Sequence, residues 1–389
     1  MRLAIVRQHY HSDGTVERVT ERALEALLER NVAVSVVTRS WPRTRLQLIE
    51  PVICDPFFIG RLWRDWGFAT AACHTIRRTT PSLVEAHAPM LCCDLYRAGD
   101  GVHAVRLEER KKHAGRLECI SLASSPYRRY RLHAEARLYA SPWLRKVICK
   151  STMVRDEIRA RFAVPGEKLA VIYNPVDGER FQPALRAERQ RTLELHRIAA
   201  DATVFLVICR SLSRCAVAVA MEALAAVPPP AHLVVVCHAR DASRINAAAR
   251  AHGVVDRVTI VDSRVDVRPY HGAADVLVSP SIYEPAPDFA LEAMACALPV
   301  IGSTKSGVAE LVVEHECGLA FTSTDAAALA AHMRSLQDPA MRARFGANAR
   351  RAVLPFTPAA TTLALVLLYR DLLAATVPAG APRTAMPGA

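Results

Sequence analysis

The sequence predicts an α/β chain of two doubly wound, parallel-sheet domains. Three observations predict it. Short apolar runs of strand type alternate with amphipathic stretches of helical period. The alternation opens as strand–helix–strand at the N-terminus and opens so again at Thr203, as two separate parallel sheets would. With 389 residues, 51% of them apolar, the chain is long enough for two cores of ordinary size. The expected organisation is two Rossmann-like domains facing each other across a cleft, with a C-terminal helix crossing back to the N-terminal domain.

Arg2 to Val6 reads as the first strand, not as the long apolar centre of a signal peptide. His9 to Val16 is a polar loop holding Asp13, Gly14 and Thr15, placed to offer backbone N–H groups to an anion; an ordinary βα connection reads the same way. Glu17 to Leu28 is helical, with Ala23, Leu24, Leu27 and Leu28 on one side, and Val32 to Thr38 is the next strand. From Trp41 to Leu95 the pattern blurs. Leu83 to His87 and Leu95 to Gly101 read as strands running into loops. Asp100 sits between two glycines, where a side chain can point into a cleft or simply form a turn. Lys146 to Cys149 is a strand, and Ser151 is a good N-cap for a helix to Phe162. Lys168 to Tyr173 is a strand that Asn174-Pro175-Val176-Asp177 breaks.

These signals divide the chain into residues 1–177 as the N-terminal domain, which the resemblance given below makes the acceptor side, and 178–200 as a linker. Residues 201–358 form the C-terminal domain, 359–376 the crossing helix and 377–389 a disordered tail. In the second domain Thr203–Ile208, His232–Cys237 and Val258–Val261 are strands, and Val217–Ala226 and Arg240–His252 are helices. Asp325–Leu336 and Pro339–Val353 are amphipathic helices.

One stretch of the second domain carries chemistry. Ala273 to Val278 is strand-like, Pro285 and Pro287 end the ladder, and Phe289, Leu291, Met294 and Leu298 recur at helical spacing. Glu284 and Glu292 bracket this strand–loop–helix unit. Eight residues of helix rise about 12 Å, which suits two carboxylates gripping vicinal hydroxyls of a nucleotide sugar. Open parallel sheets bind ligands at such βα turns. Glu pairs eight apart also occur on solvated helices.

Net charge is +12, which admits phosphorylated ligands, anionic membranes or nucleic acid as partners. No nucleic-acid module is present, and no nucleic-acid partner is expected. Residues 104–146 are basic and interleaved with Tyr127, Tyr130, Tyr139 and Trp143. Such a region can lie on an anionic bilayer, each cation contributing about 1 kcal/mol near the surface; a solvated helix face with a core stripe also fits. No apolar run of about 20 residues occurs. The eleven cysteines form no CxxC pair and no zinc spacing, so reduced, mostly buried thiols in a cytoplasmic protein are expected.

With these pieces placed, the chain resembles the retaining GT-B glycosyltransferases of family 4. Glu284 and Glu292 match that family's paired-glutamate motif, Asn174 to Asp177 with Arg180-Phe181 its hinge, and Gly307 to Leu311 with Cys317 to Leu319 the following segment. Gly14 to Arg18 matches its N-terminal loop and helix start. The N-terminal half, through Thr38 to Trp41 and Asp94 to Asp100, is most similar to the lipopolysaccharide core glucosyltransferases acting on inner-core heptose.

The resemblance implies transfer of a hexose from a nucleotide diphosphate sugar, UDP-glucose or similar, to a lipid-linked core or surface glycan, with retained configuration. It implies no cofactor and no metal, and a location in the cytoplasm, peripheral on the inner membrane through residues 104–146. By the same resemblance Asp100 faces the acceptor and Glu284 the sugar, both as catalytic residues. Glu292 holds the ribose, Arg214 the diphosphate, and Gly14, Thr15, Ala286, Asp288 and Phe289 complete the donor contacts.

Several positions depart from the family. Cys215 stands where it places Lys at the diphosphate, and a neutral thiol cannot replace an ammonium. Thr15, Cys209, Ala216, Cys237, Ser263, Pro287 and Ala297 stand where it commonly has glycine. Arg210 lies in the same loop as Arg214 and can compensate in part. The alternative expectation is therefore a catalytically weakened homologue that binds a glycan or a partner.

Overall fold

The computed structural model describes residues 1–9, 15–41, 49–286 and 288–375. The loop around Gly14, Pro287 and the tail 377–389 lie outside the described residues, and the side chain of Thr15 with them. In chain order the strands are β1 (Arg2–Val6), β2 (Ala33–Thr38), β3 (Glu50–Ile53), β4 (Leu83–Ala86), β5 (Leu95–Ala98), β6 (Lys146–Cys149) and β7 (Leu169–Val171). They continue with β8 (Thr203–Cys209), β9 (Ala231–Cys237), β10 (Val258–Asp262), β11 (Val276–Ser279), β12 (Val300–Ser303) and β13 (Gly318–Phe321). The helices begin with α1 (Thr15–Leu28), α2 (Gly60–Thr79), α3 (His103–Lys112), α4 (Arg116–Ser124), α5 (Pro126–Tyr139) and α6 (Thr152–Phe162). Then come α7 (Arg189–Leu195), α8 (Val217–Ala225), α9 (Ala242–Ala251), α10 (Arg268–Ala273) and α11 (Asp288–Ala295). The last four are α12 (Ala309–Glu314), α13 (Ala326–Ser335), α14 (Pro339–Val353) and α15 (Pro358–Ala374).

The chain forms two compact units. The first holds Met1–Val105, Arg116–Pro175 and the chain from Pro358. Its seven parallel strands run β3-β2-β1-β4-β5-β6-β7. The inner strands β1, β2, β4, β5 and β6 are buried on both faces, so they are near-continuous apolar runs rather than alternating ones, while the edge strand β3 is largely exposed. On one face Leu24, Leu27, Leu83 and Ile148 pack with Leu365, Val366 and Tyr369 of α15. On the other, Phe68, Ile76, Leu138 and Ile158 pack with Val84, Tyr96 and Val147. By length and composition the helical stretch Pro339–Ala374 passes for a membrane span, but the apolar stripe of α15 is core. A buried network fixes that helix: Glu85 of β4 takes hydrogen bonds from Arg97 Nε (2.7 Å), from His87 Nε2 (2.9 Å) and from the Tyr369 hydroxyl.

The second unit holds Arg106–Gly115 and Val176–Thr357. Its six parallel strands run β10-β9-β8-β11-β12-β13, and Phe205, Val235, Val278 and Ile301 form its core with Met221, Leu224, Leu329 and Met333. Gly318 is required in β13, because a Cβ there would meet the Val300 carbonyl oxygen at 1.9 Å.

Three findings refine the expectations. Cys73 and Cys92 form a disulfide, which corrects the expectation that the thiols are all reduced; adjacency of Cys92 and Cys93 gave no sign of a partner nineteen residues away on α2. The stretch 178–200, expected as a linker, is ordered: a 3-10 turn over Pro183–Glu188 leads into α7. Arg186 and Arg189 there pair with Asp275 at 2.7 and 3.1 Å. Finally, the blurred region after Trp41 contains the 20-residue α2. Its periodicity is masked because Leu62, Trp63 and Trp66 are exposed rather than buried.

Candidate active site

In the second unit, the loop after β8 and the loop after β11 run together at the C-terminal ends of their strands. Ala216 N donates to Pro280 O (2.7 Å) and Ile282 N to Arg214 O (2.7 Å). Cys215 bridges Ser281 in antiparallel fashion. The loop after β12 closes the third side: Glu284 N donates to Lys305 O, and Gly307 N to Glu284 O, both at 2.9 Å. Glu284 is thus held by backbone hydrogen bonds on either side.

Charged side chains converge on this junction. Arg214 Nη1 lies 3.6 Å from Glu284 Oε1. Arg210 Nη1 lies 3.8 Å from Asp288 Oδ2 at the first turn of α11. One turn further, burial pushes the Glu292 carboxyl up to about 7, and the Asp288 charge adds to the shift against the opposing pull of Arg210 and Arg180. Glu284, Ala286, Asp288 and Glu292 are all half-buried. Phe289 is buried, so its ring is core and only its backbone can face a ligand. Glu284 stands four positions before the first residue of α11, Asp288, so the two glutamates are not on one continuous helix as a 12 Å helical rise would require.

Cys215 hydrogen bonds to Cys209; that bond and burial push its thiol well above the usual value. It is therefore neutral and supplies no charge. Cys209 and Cys237 are register partners on β8 and β9, so three thiols line the floor of the junction. Among the described residues no group of three or more His, Cys, Asp or Glu is arranged to hold a metal ion.

Lys305 was not singled out from the sequence. Its ammonium stands 3.9 Å from Glu109 of α3, while its backbone carbonyl fixes Glu284. The signal was there in its place after a strand and before Ser306-Gly307, but nothing local shows which loop it meets. Asp100 lies in the first unit, after β5, exposed in the turn that Gly101 closes at a φ of 67°. The helix that follows starts on the carboxylate of Glu135, which accepts from His103 N at 2.8 Å.

Family models match the chain in two stretches that meet a few residues beyond the division at Pro175. The model for glycosyltransferase family 4 matches residues 16–180, and the model for glycosyl transferases group 1 matches residues 189–352. Together these take in every strand except β1, and the paired glutamates.

The chain belongs to the family 4, group 1 glycosyltransferases.

It is an enzyme that transfers sugars. A probable transglycosylase of Burkholderia thailandensis is 28% identical over 346 residues, 87% of this chain and 88% of that protein. A glycogen synthase of Mycobacterium tuberculosis is 29% identical over 53% of this chain and 48% of its own length. Among solved structures, WaaG, a glycosyltransferase involved in lipopolysaccharide biosynthesis, superposes with a TM-score of 0.75 at 19% identity, over 94% of this chain and 99% of that one. HepE of Anabaena, solved with UDP and glucose, gives a TM-score of 0.67 at 18% identity, over 95% of this chain and 100% of that one. These structural likenesses establish the GT-B fold.

Proposed function

We propose that this glycosyltransferase moves a hexose from a UDP-sugar to a lipid-linked glycan of the lipopolysaccharide core or a related surface polymer, with the anomeric configuration retained. The observation that carries the reading is the convergence of Arg214 on Glu284 and of Arg210 on Asp288, with Glu292 one turn beyond. Carboxylates spaced along the loop and α11 accept hydrogen bonds from sugar and ribose hydroxyls. The two guanidiniums meet the negative charge that builds on the departing diphosphate, where preorganised charge contributes most. As the bond from the anomeric carbon to the diphosphate oxygen breaks, the acceptor oxygen bonds to the same face and its proton passes to the diphosphate. Asp100, in the first unit, is assigned to orient the acceptor. No metal enters this scheme. The cytoplasmic face of the inner membrane, reached through residues 104–146, is where such an acceptor meets a nucleotide sugar.

Thermal stabilisation by a panel of nucleotide sugars identifies the donor, and release of UDP in the presence of core acceptor measures turnover. Failure of any nucleotide to bind at millimolar concentration would sink the reading. A second reading has its own observation: the neutral Cys215 thiol and the few glycines at the junction weaken the grip on the diphosphate. On that reading turnover is slow, and Cys215→Lys raises kcat about tenfold or more by restoring a charge on the leaving group. An unchanged kcat would mean that Arg210 already supplies it.

A further inference from the structure

Away from the paired glutamates, the first unit holds a cavity of about 280 Å³ between α2 and α5. That approaches the size range of small-molecule sites, about 300–1,000 Å³. Trp66, Ala69, Cys73 and Arg77 repeat at helical spacing along one side of α2, and Tyr130, Ala134 and Arg137 do so on α5. The two alanines leave the space open where larger side chains would fill it. Met90 and Leu91 form the apolar floor, and the Cys73–Cys92 disulfide ties α2 to the chain beside it.

The rim is basic: His74, Arg77, His133 and Arg137 line the cavity, and no carboxylate does. Just before this face, Phe57, Ile59, Trp63 and Trp66 are exposed by 76, 68, 44 and 44%. Phe57 and Trp63 meet edge to face at 6.3 Å, and the Arg39 guanidinium stacks 4.3 Å over the Phe58 ring. An exposed aromatic run of this kind beside an apolar slot marks an interaction surface.

We propose that the α2–α5 cavity binds a hydrocarbon chain of an anionic membrane phospholipid, with Arg77 and Arg137 holding the phosphate at its mouth. Apolar walls give a nucleotide or free sugar too few polar partners, whereas a methylene chain gains about 0.8 kcal/mol per buried CH₂. Guanidiniums match phosphate oxygens in paired hydrogen bonds. The aromatic run at Phe57–Trp66 then lies at headgroup depth, where Trp rings are favoured. This site is independent of which sugar the enzyme transfers, but Tyr130, His133, Ala134 and Arg137 belong to residues 104–146, so the proposal rests on the membrane reading of that segment and deepens it; Ala134→Phe, which blocks the cavity and leaves the segment's charge unchanged, tells the two apart.

Short-chain phosphatidylglycerol, kept below its micelle concentration, is titrated into the full chain by calorimetry. Saturable 1:1 binding is expected, at least tenfold tighter than that of phosphatidylcholine of equal chain length. Arg77→Glu with Arg137→Glu, and separately Ala134→Phe, should each weaken it at least tenfold while the nucleotide response of the second unit is unchanged. No saturable binding, unaltered binding to Ala134→Phe, or displacement of the lipid by equimolar inorganic phosphate would overturn the proposal. If Ala134→Phe does not fold, tryptophan quenching by brominated-chain phosphatidylglycerol replaces it. Quenching that is lost in Trp66→Leu supports the cavity, and quenching that persists there refutes it.

Discussion

Glu292 is a carboxyl that the fold holds at a cost. Its pKa is raised to about 7 by burial and by Asp288, so the folded state binds a proton that the unfolded chain releases near 4.5. Its contribution to stability is present below that value and is lost as pH rises through 7. Glu292→Gln should therefore raise the stability of the second unit at pH 8 by about 2–3 kcal/mol, read from denaturant unfolding, while donor binding falls. In the wild type, donor affinity should climb as pH rises through about 7, when the carboxylate forms; the variant should show a flat profile. Ala297 presents the opposite case, strain without function. It follows α11 at a φ of 58°, a left-handed conformation that costs an L-residue roughly 1–2 kcal/mol. Ala297→Gly should stabilise the second unit by about 0.5–1 kcal/mol after the added entropy of the unfolded chain, seen as a higher Tm.

At the scale of elements, α15 shows how a helix is assigned to a sheet distant in sequence. Its apolar stripe is generic, but its Tyr369 is not. The hydroxyl donates to Glu85 and accepts from Arg97 Nη2 at 3.2 Å. Tyr369→Phe removes both and leaves a buried carboxylate one partner short, at about 1–3 kcal/mol. The measurement is unfolding of the first unit, and an unchanged midpoint would show that Arg97 and His87 satisfy Glu85 alone. The apolar period of this helix is plain in the sequence. Its partner strands are not, because a stripe of Leu and Val fits many sheets and only one polar match selects among them.

Across the whole molecule, buried and half-buried histidines make both units sensitive to acid. Burial pushes His87 and His232 down to about 4, and lowers His271 and His196 as well. Each is neutral in the folded state and takes a proton in the unfolded chain near 6.5. Stability is thus complete above that pH and is lost as pH falls toward 4, by up to about 3 kcal/mol for each of the two larger shifts. Glu85 adds a later loss. Burial would raise it, but Arg97 with His87 and Tyr369 holds it well below the usual carboxylate range, so its contribution disappears only in stronger acid. Unfolding free energies measured from pH 8 to 4 should fall most steeply between about 6.5 and 4 in both units. A midpoint that holds steady until pH 4.5 would contradict this.

The two-sheet architecture, the strands and helices outside the blurred stretch from Trp41 to Leu95 and the segments 104–146 and 178–200, and the pair Glu284 and Glu292 are local properties. Apolar period, turn residues and motif spacing are carried by neighbours in the chain, so they can be read from it directly. Arg210 opposite Asp288, Lys305 behind Glu284, the Cys73–Cys92 bond and the cavity between α2 and α5 are not local. Each depends on which loops and helices meet after the sheets have formed. The exposed tryptophans of α2 even obscure its helical period, because the face that ordinary burial would hide is left open to something outside the fold. Parallel strand order brings the loops after β8, β11 and β12 to one edge, and that juxtaposition turned two glutamates at a suggestive spacing into a charged site.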